Sequence, residues 1–374
     1  MSDSRIFLSP PWTDESDRQA VLRAFESGYI APCGPQVTEF EAALARSTER
    51  SYAVAVSSGT AAIDLIMAHY GVDETWTILA PSLTFIATVG PAYHRGAHLA
   101  FVESRASDWT IDPVALARAL ADVHRERPHD RLMVIPVDLY GNCADYGSIC
   151  RVCEKYGALV IADSAEAQGS FTSEGAPAGK SGTAAILSFN GNKMVTTSGG
   201  GVVLTDDAAL SEHVRKLSQQ SREPCVWYEH KEVGYNYRLS NVLAALGLAQ
   251  LARLPQNIAT RQARLTRYRS FFPAGSVLDS ANAWLGVVLL GSTAERDALS
   301  ARFDAANIET RPVWKPLHLQ PVFRDVPFYS QAEGGISVAE DCFNRGLCLP
   351  MATVEKPGEW TRIQAVLEDF NQFR

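Results

Sequence analysis

The segment HLAFVESRASDWTIDPVALARALADVHRERPHDRLMVIPVDLYGNCADYGSICRVCEKYGALVIADS, residues 98–164, decides the fold. Three near-continuous apolar runs, HLAFVE (98–103), LMVIPVDL (132–139) and ALVIAD (158–163), are separated by DPVALARALADVHRE (112–126) and YGSICRVCEKY (146–156). The two separating stretches repeat apolar residues at spacings of three and four, the period of a helix with one buried face. The runs themselves lack polar alternation, so both of their faces are covered. Strand, helix and strand in succession then make a largely parallel sheet clothed by helices.

The same alternation extends outward on both sides. YAVAVS (52–57), TILAP (77–81), AILSF (185–189) and GVVLTD (201–206) read as further strands, and TAAIDLIMAHY (60–70) as a helix. The expectation is an α/β protein whose large, mostly parallel sheet domain spans residues 1–245. From residue 240 the pattern changes to one long helix, 240–272, and then to a proline-rich, irregular tail. That change marks a smaller α/β domain over 246–374. No internal repeat or low-complexity linker interrupts the chain.

Composition narrows the function. At 374 residues, with 46% hydrophobic and 20% charged residues, the chain carries enough apolar surface for a thick core. A net charge of -8 with dispersed Lys and Arg gives no footprint for a nucleic-acid backbone. No run of about 18 apolar residues exists for a membrane span, and the start MSDSRIFLSPPW is too polar for a secretory signal, so the expected location is cytoplasmic. The odd count of seven cysteines suits reduced thiols. Cys150 and Cys153 form a CxxC, but no second pair has ligand spacing, and no metal is expected.

Ligands of open α/β sheets sit beyond the carboxyl ends of the strands. Four places there carry candidate chemistry. In SSGTAA (57–62), Ser58, Gly59 and Thr60 follow a strand at the head of a helix, where free amides favour a phosphate, although Thr60 also suits a plain N-cap. In VIADSAEAQGS, Asp163 ends an apolar strand; it is either a helix-capping acid or the partner of a protonated ring nitrogen. In ILSFNGNKMVTTSGGGVVLTD, Lys193 follows a strand and precedes Gly199–Gly201. A lysine there is either a surface charge or a desolvated amine fit for Schiff-base chemistry. In VGYNYRLSNV, Asn236 and Arg238 either reach a phosphate or serve capping and ion pairing.

Rival motifs fail on spacing. GAPAGKS (175–181) has one residue too few between its glycines for a P-loop and reads as a surface turn. No GxGxxG follows a strand, no GxSxG elbow occurs, and no HExxH appears.

Taken in order, RIFLSPP, YIAPCGPQVTEFE, VSSGTAA, PSLTFIAT, PVDLYGNCADY, IADSAEAQGS, SFNGNKMVTTSGGG, GYNYRLS, RPVWKPLHLQPVF and RGLCLP resemble the DegT/DnrJ/EryC1/StrS family of sugar aminotransferases over nearly the whole chain. The resemblance implies the fold-type I, aspartate aminotransferase-like architecture and a homodimer with active sites at the subunit interface. It implies pyridoxal 5'-phosphate as cofactor, bound to Lys193 as a Schiff base. By the same carry-over Asp163 binds the pyridine nitrogen and Phe85 stacks on its face. Gly59, Thr60 and Ser188 hold the phosphate, beside the Ser58 already singled out at the helix head, with Asn236 reaching in from the partner subunit. Two positions depart from the family pattern: Glu166 stands where Gln is frequent near the cofactor's ring oxygen, and PVDLYG places Asp138 where His is common.

Within the family, FNGNKMVTTSGGG and RPVWKPLHLQPVF are most similar to the branch acting on UDP-linked 2-acetamido-4-keto-6-deoxy sugars, with glutamate as amino donor. Arg238, Arg311, Trp314, Lys315 and His318 are then the substrate-binding candidates, against ordinary tail packing. The alternatives are amination at C3, a GDP- or dTDP-sugar, and a related cofactor-dependent sugar dehydratase, against which Lys193 argues because those proteins carry His there. A non-catalytic regulatory or scaffold role is disfavoured by the retained site residues.

Overall fold

The computed structural model describes residues 4–330 and 335–372. The chain opens with α1 (Glu15–Glu26) and α2 (Pro35–Ser47), followed by β1 (Tyr52–Val56), α3 (Gly59–Tyr70), β2 (Trp76–Pro81), α4 (Gly90–His94), β3 (His98–Val102) and α5 (Pro113–Glu126). Then come β4 (Arg131–Val134), α6 (Tyr146–Glu154), β5 (Leu159–Asp163), β6 (Ala184–Ser188), β7 (Gly201–Thr205), α7 (Ala208–Ser218), α8 (Asn241–Ala252) and α9 (Leu254–Arg269). The remainder holds β8 (Gly286–Leu289), α10 (Thr293–Ala305), β9 (Arg311–Pro312), β10 (Phe328–Tyr329), α11 (Val338–Arg345), β11 (Gly346–Leu349) and α12 (Glu359–Gln372).

Eight strands form one sheet in the order β1-β7-β6-β5-β4-β2-β3-β10. β7 runs antiparallel to both β1 and β6, and the other pairings are parallel. Because side chains alternate across a strand, successive residues enter opposite cores. In β1, Ala53 and Ala55 pack into one cluster with Phe40 and Leu187, while Val54 and Val56 face another with Ile66 and Met67. Both faces are therefore dry, which is why the strands read as unbroken apolar runs.

A second, three-stranded sheet, ordered β8-β11-β9, carries its own cluster around Tyr268, Phe303, Leu347 and Ile363. Ile6 of the N-terminal segment bridges to Ile308 and joins that cluster, and β10 returns to pair with β3 at the edge of the large sheet. The chain thus crosses between its two sheets more than once.

Two expected elements differ from the sequence reading, both because of proline. The helix over 240–272 is two helices, broken at Arg253, with Pro255 in the first turn of the second. Proline lacks the N–H and its ring clashes with the carbonyl four residues back. The strand expected to reach 139 stops at Val134, since Pro136 cannot donate to a ladder. Beyond it only an isolated bridge, Val137 to Asp163, continues the pairing, and the chain turns through Tyr140 in a left-handed conformation (φ 50°).

The GAPAGKS turn behaves as the reverse of a phosphate loop. Buried Arg50 donates to the carbonyls of Gly179 (2.9 Å), Ser181 (2.6 Å) and Gly182 (2.9 Å) and pairs with Asp206 at 3.0 Å, so the loop turns carbonyls, not amides, inward. Lys180 Nζ is spent on Glu49 O and Asp206. Replacing the guanidinium leaves three carbonyls without their donor, while Asp206 keeps Ser51 and Lys180. Arg50→Met is expected to lower stability by about 3 kcal/mol, read as a shifted urea midpoint, without changing the chemistry at the remote cavity described next.

Candidate active site

Beyond the carboxyl ends of β1, β5 and β6 lies a cavity of about 320 Å3 lined by Ser58, Gly59, Thr60, Phe85, Asp163, Glu166, Ser188, Lys193 and Trp314 among others. Nine positions singled out from sequence thus meet in one space, although they span residues 58–314.

The head of α3 forms one wall. Ser58, not Thr60, is the N-cap: its hydroxyl accepts from Ala61 N at 3.0 Å, which leaves the first helical amides without intrahelical partners. Glycine is required where this helix meets β7. A Cβ on Gly201 would stand 2.4 Å from the Ser58 carbonyl carbon and 2.5 Å from Gly59 N. A Cβ on Gly59 would press on Ser188 Cβ at 3.2 Å and narrow the cradle.

Asp163 closes β5 and does not cap a helix. Its Oδ2 accepts from Thr88 Oγ1 at 2.8 Å and its Oδ1 from Ala165 N at 3.2 Å. Among the described residues these donors are a hydroxyl and an amide, neither charged. Burial raises the carboxyl's pKa, against the lowering by Thr88, Ala165 N and the nearby Lys193. Thr84 Oγ1 lies 2.9 Å behind Thr88 Oγ1, so a short hydroxyl chain backs the acid.

Lys193 is mostly withdrawn from solvent, its side chain 13% exposed, and is not a surface charge. Its Nζ sits 3.7 Å from Glu166 Oε1 and 3.9 Å from the centre of the Trp284 ring. Burial lowers its pKa, and Glu166 and Asp163 act in the opposite sense. Burial likewise raises the pKa of Glu166, whose Oε2 accepts from Tyr140 N at 2.9 Å.

The other candidates lie elsewhere. Asn236 and Arg238 line a separate cavity of about 810 Å3 together with Cys33, Arg215 and Arg222. Arg238 is held by Glu41 and by Ala55 O at 2.8 Å, as a structural ion pair. His318 is turned away as well, with Ser82 Oγ 2.6 Å from its Nδ1, Glu340 3.5 Å from its Nε2, and Phe328 stacked on its ring. Arg311, Trp314 and Lys315 line an outer cavity of about 930 Å3 that shares Asn192, Trp284 and Trp314 with the inner one. Arg311 there pairs with Glu309 at 2.9 Å.

Thr88, Asn190, Asn192 and Trp284 also line the inner cavity, Tyr140 lines the outer one, and none of the five carried an expectation. For Thr88 a signal existed, a hydroxyl three residues after Phe85 in a loop following a strand. Trp284, in the apolar stretch NAWLGVV, offered none. Cys150 and Cys153 lie on α6, where burial raises both thiols, Cys153 to about 12, and no group of metal ligands occurs among the described residues.

Residues 11–368 match the DegT/DnrJ/EryC1/StrS aminotransferase family. The chain belongs to that family. It is 40% identical over 372 residues to the putative pyridoxal phosphate-dependent aminotransferase EpsN of Bacillus subtilis (strain 168), covering 97% of this chain and 95% of that one. It is 32% identical to the GDP-perosamine synthase of Caulobacter vibrioides, with 98% and 99% covered. A crystal structure of a DegT DnrJ EryC1 StrS aminotransferase from Brucella abortus superposes with a TM-score of 0.84 at 26% identity, covering 95% of each chain.

The aminotransferase accordingly has the fold-type I architecture, acts on sugars and depends on pyridoxal phosphate. Its inner cavity fits that group. A phosphate can sit on the free amides of α3 beside Ser58 and Ser188. A buried acid without a charged donor can meet a protonated ring nitrogen, and a desolvated amine can reach a carbonyl carbon. No described helix is long and apolar enough to cross a membrane.

The Asp138 departure is structural. Its carboxyl is buried and accepts from Ser164 Oγ (2.5 Å), Tyr146 OH (2.8 Å) and Ala144 N (2.9 Å). Burial outweighs these donors and raises its pKa to about 6. The folded aminotransferase therefore binds this proton more tightly than the unfolded chain. The resulting stability is full below the unfolded pKa and is lost as pH rises through about 6. Asp138→Asn should remove this dependence. Its stability relative to wild type should rise by up to about 3 kcal/mol between about pH 4 and pH 8, measured by urea unfolding; a constant difference across that range contradicts the assignment.

Proposed function

We propose that this aminotransferase transfers an amino group from glutamate to the C4 keto group of a UDP-linked 2-acetamido-4-keto-6-deoxyhexose, for surface glycans or protein glycosylation. The observation that carries the reading is the outer cavity. It opens off the Lys193 chamber across Trp284 and Trp314 and offers Arg311, Lys315 and Lys356 to a diphosphate, with Phe7, Trp314 and Phe343 as apolar and stacking surface. A second reading, a GDP-linked 4-keto sugar, draws on the likeness to the GDP-perosamine synthase.

Pyridoxal phosphate supplies an electron-withdrawing ring and a carbonyl that stores the amino group between the two half-reactions. Lys193 would bond to it and afterwards hold and move the proton at Nζ. Asp163 would accept a hydrogen bond from the ring nitrogen and keep it positive. Ser58, Gly59, Thr60 and Ser188 would take the phosphate, Phe85 would cover the ring, and Trp314, which lines both cavities, would stand between cofactor and sugar.

The working unit in this reading is a homodimer. Val226, Trp227, Tyr228 and Val233 are 98%, 65%, 78% and 93% exposed beside the cavity that holds Asn236. Such an apolar patch suits a second copy of the chain, and Asn236 would then serve the partner's phosphate site.

Incubation of the loaded enzyme with glutamate and either sugar, with the product followed by mass spectrometry and NMR, tests the reading. A kcat/KM for the UDP substrate about tenfold or more above the GDP substrate is expected. The reverse preference selects the second reading, and no amino sugar from either sinks both. Lys193→Ala should abolish turnover while its circular dichroism and melting profile stay near wild type.

A further inference from the structure

The Lys193 amine is held on two sides by groups that are themselves immobile. On one side is the Trp284 ring, 1% exposed and 3.9 Å from Nζ. Its indole Nε1 donates to Asn192 O at 2.7 Å, its backbone N to Asn282 Oδ1 at 2.9 Å, and its carbonyl accepts from Arg261 at 2.8 Å. Asn192 O also accepts from Ser9 Oγ at 2.9 Å, so the backbone just before Lys193 is pinned from two directions. On the other side is Glu166, whose Oε2 is fixed by Tyr140 N while Oε1 faces the amine at 3.7 Å. The ionisable groups facing Nζ are Glu166 and, across the cavity, Asp163.

An amine that repeatedly leaves the cofactor needs a defined resting place, because a desolvated ammonium without a partner would swing toward water. A tryptophan face is the strongest aromatic partner for a cation, more so when water is excluded. We propose that Trp284 is a positioning residue whose ring is the platform for the Lys193 amine whenever that amine is not bonded to the cofactor, presenting it to Glu166 as its proton-exchange partner. In the exchange one proton passes from Nζ to Oε1, leaving a neutral amine with a free lone pair and a neutral carboxyl. No bond to carbon changes and no oxidant is needed. Burial favours it, since it lowers the amine's proton affinity and raises the carboxyl's.

The proposal rests on Lys193 being the cofactor-bearing residue, and its test is arranged to fail separately. Cofactor-free protein is labelled with trace acetic anhydride across a pH series, and acetylation of Lys193 is quantified by peptide mass spectrometry. The midpoint of labelling reports how firmly the ammonium is held. Trp284→Leu and Trp284→Phe both lose the Nε1 bond to Asn192, but only Leu loses the aromatic face. The midpoint should fall by about one pH unit in Trp284→Leu and stay close to wild type in Trp284→Phe.

Fluorinated tryptophan incorporated into the wild-type sequence weakens the ring face at nearly constant volume. It serves if the Leu variant does not fold, and the midpoint should then fall with each added fluorine. Equal midpoints in the two variants, or a midpoint indifferent to fluorination, overturn the platform. Borohydride reduction of the loaded wild-type enzyme tests attachment alone: cofactor mass on a residue other than Lys193 overturns that reading without touching the labelling result.

Discussion

One basic amine and two carboxyls line one cavity, and their charges do not balance. Lys193 has Glu166 beside it, but Asp163 is met only by a hydroxyl and an amide. A buried carboxylate with neutral donors is unfavourable unless it binds a proton or gains a cationic partner. Within the protein the cation facing Asp163 is Lys193, across the cavity and already beside Glu166, so burial prevails and raises this acid's proton affinity. A ligand that brings a protonated ring nitrogen satisfies the second. The cavity is therefore incomplete as a set of charges in the sense that a pyridoxal cofactor repairs.

Holding that arrangement requires contributions from distant parts of the chain. The large sheet supplies Asp163 at the end of β5 and Ser188 at the end of β6, and the loop that follows supplies Lys193. Trp284 comes from the segment entering the second sheet, and Ser9 from the N-terminal strap. Arg261 joins the two. Buried on α9, it donates to Ser9 Oγ, Trp284 O, Asn257 Oδ1 and Thr353 Oγ1. Asn257 in turn donates to Met194 O, next to the lysine. The same polar cluster that fixes the second sheet against the first also fixes the backbone on both sides of residue 193.

The strands of the large sheet were legible because both of their faces are buried, so each reads as a short apolar run whatever its neighbours. The polar residues at their carboxyl ends stood out against those runs for the same reason. Legibility failed where a position's role depends on what tertiary structure brings to it. Trp284 looks like core, and it is core on one side, but its other face meets an amine contributed from 91 positions earlier. Arg238 and His318 have the right chemistry for phosphate, yet Glu41 and Glu340 take them first, and no local pattern announces such partners. Pro255 and Pro136 were visible, and the broken helix and shortened strand followed from ordinary proline sterics that an apolar pattern masks.

Position 166 shows how one atom changes the logic of the site. Tyr140 N fixes the side of the group that must be an acceptor, so Oε2 points there and the remaining atom points at Lys193. With glutamine in this geometry the oxygen would be taken by Tyr140, and the NH2 would face an ammonium, donor against donor. Glutamate turns the same contact into attraction and adds a site that can take up a proton. The indole N–H of Trp314 lies close to this carboxyl without completing a hydrogen bond, so a further donor stands ready if the side chain shifts. The departure from the frequent residue therefore ties the lysine's charge to a neighbour that can change its own, and no amide at that position could do so.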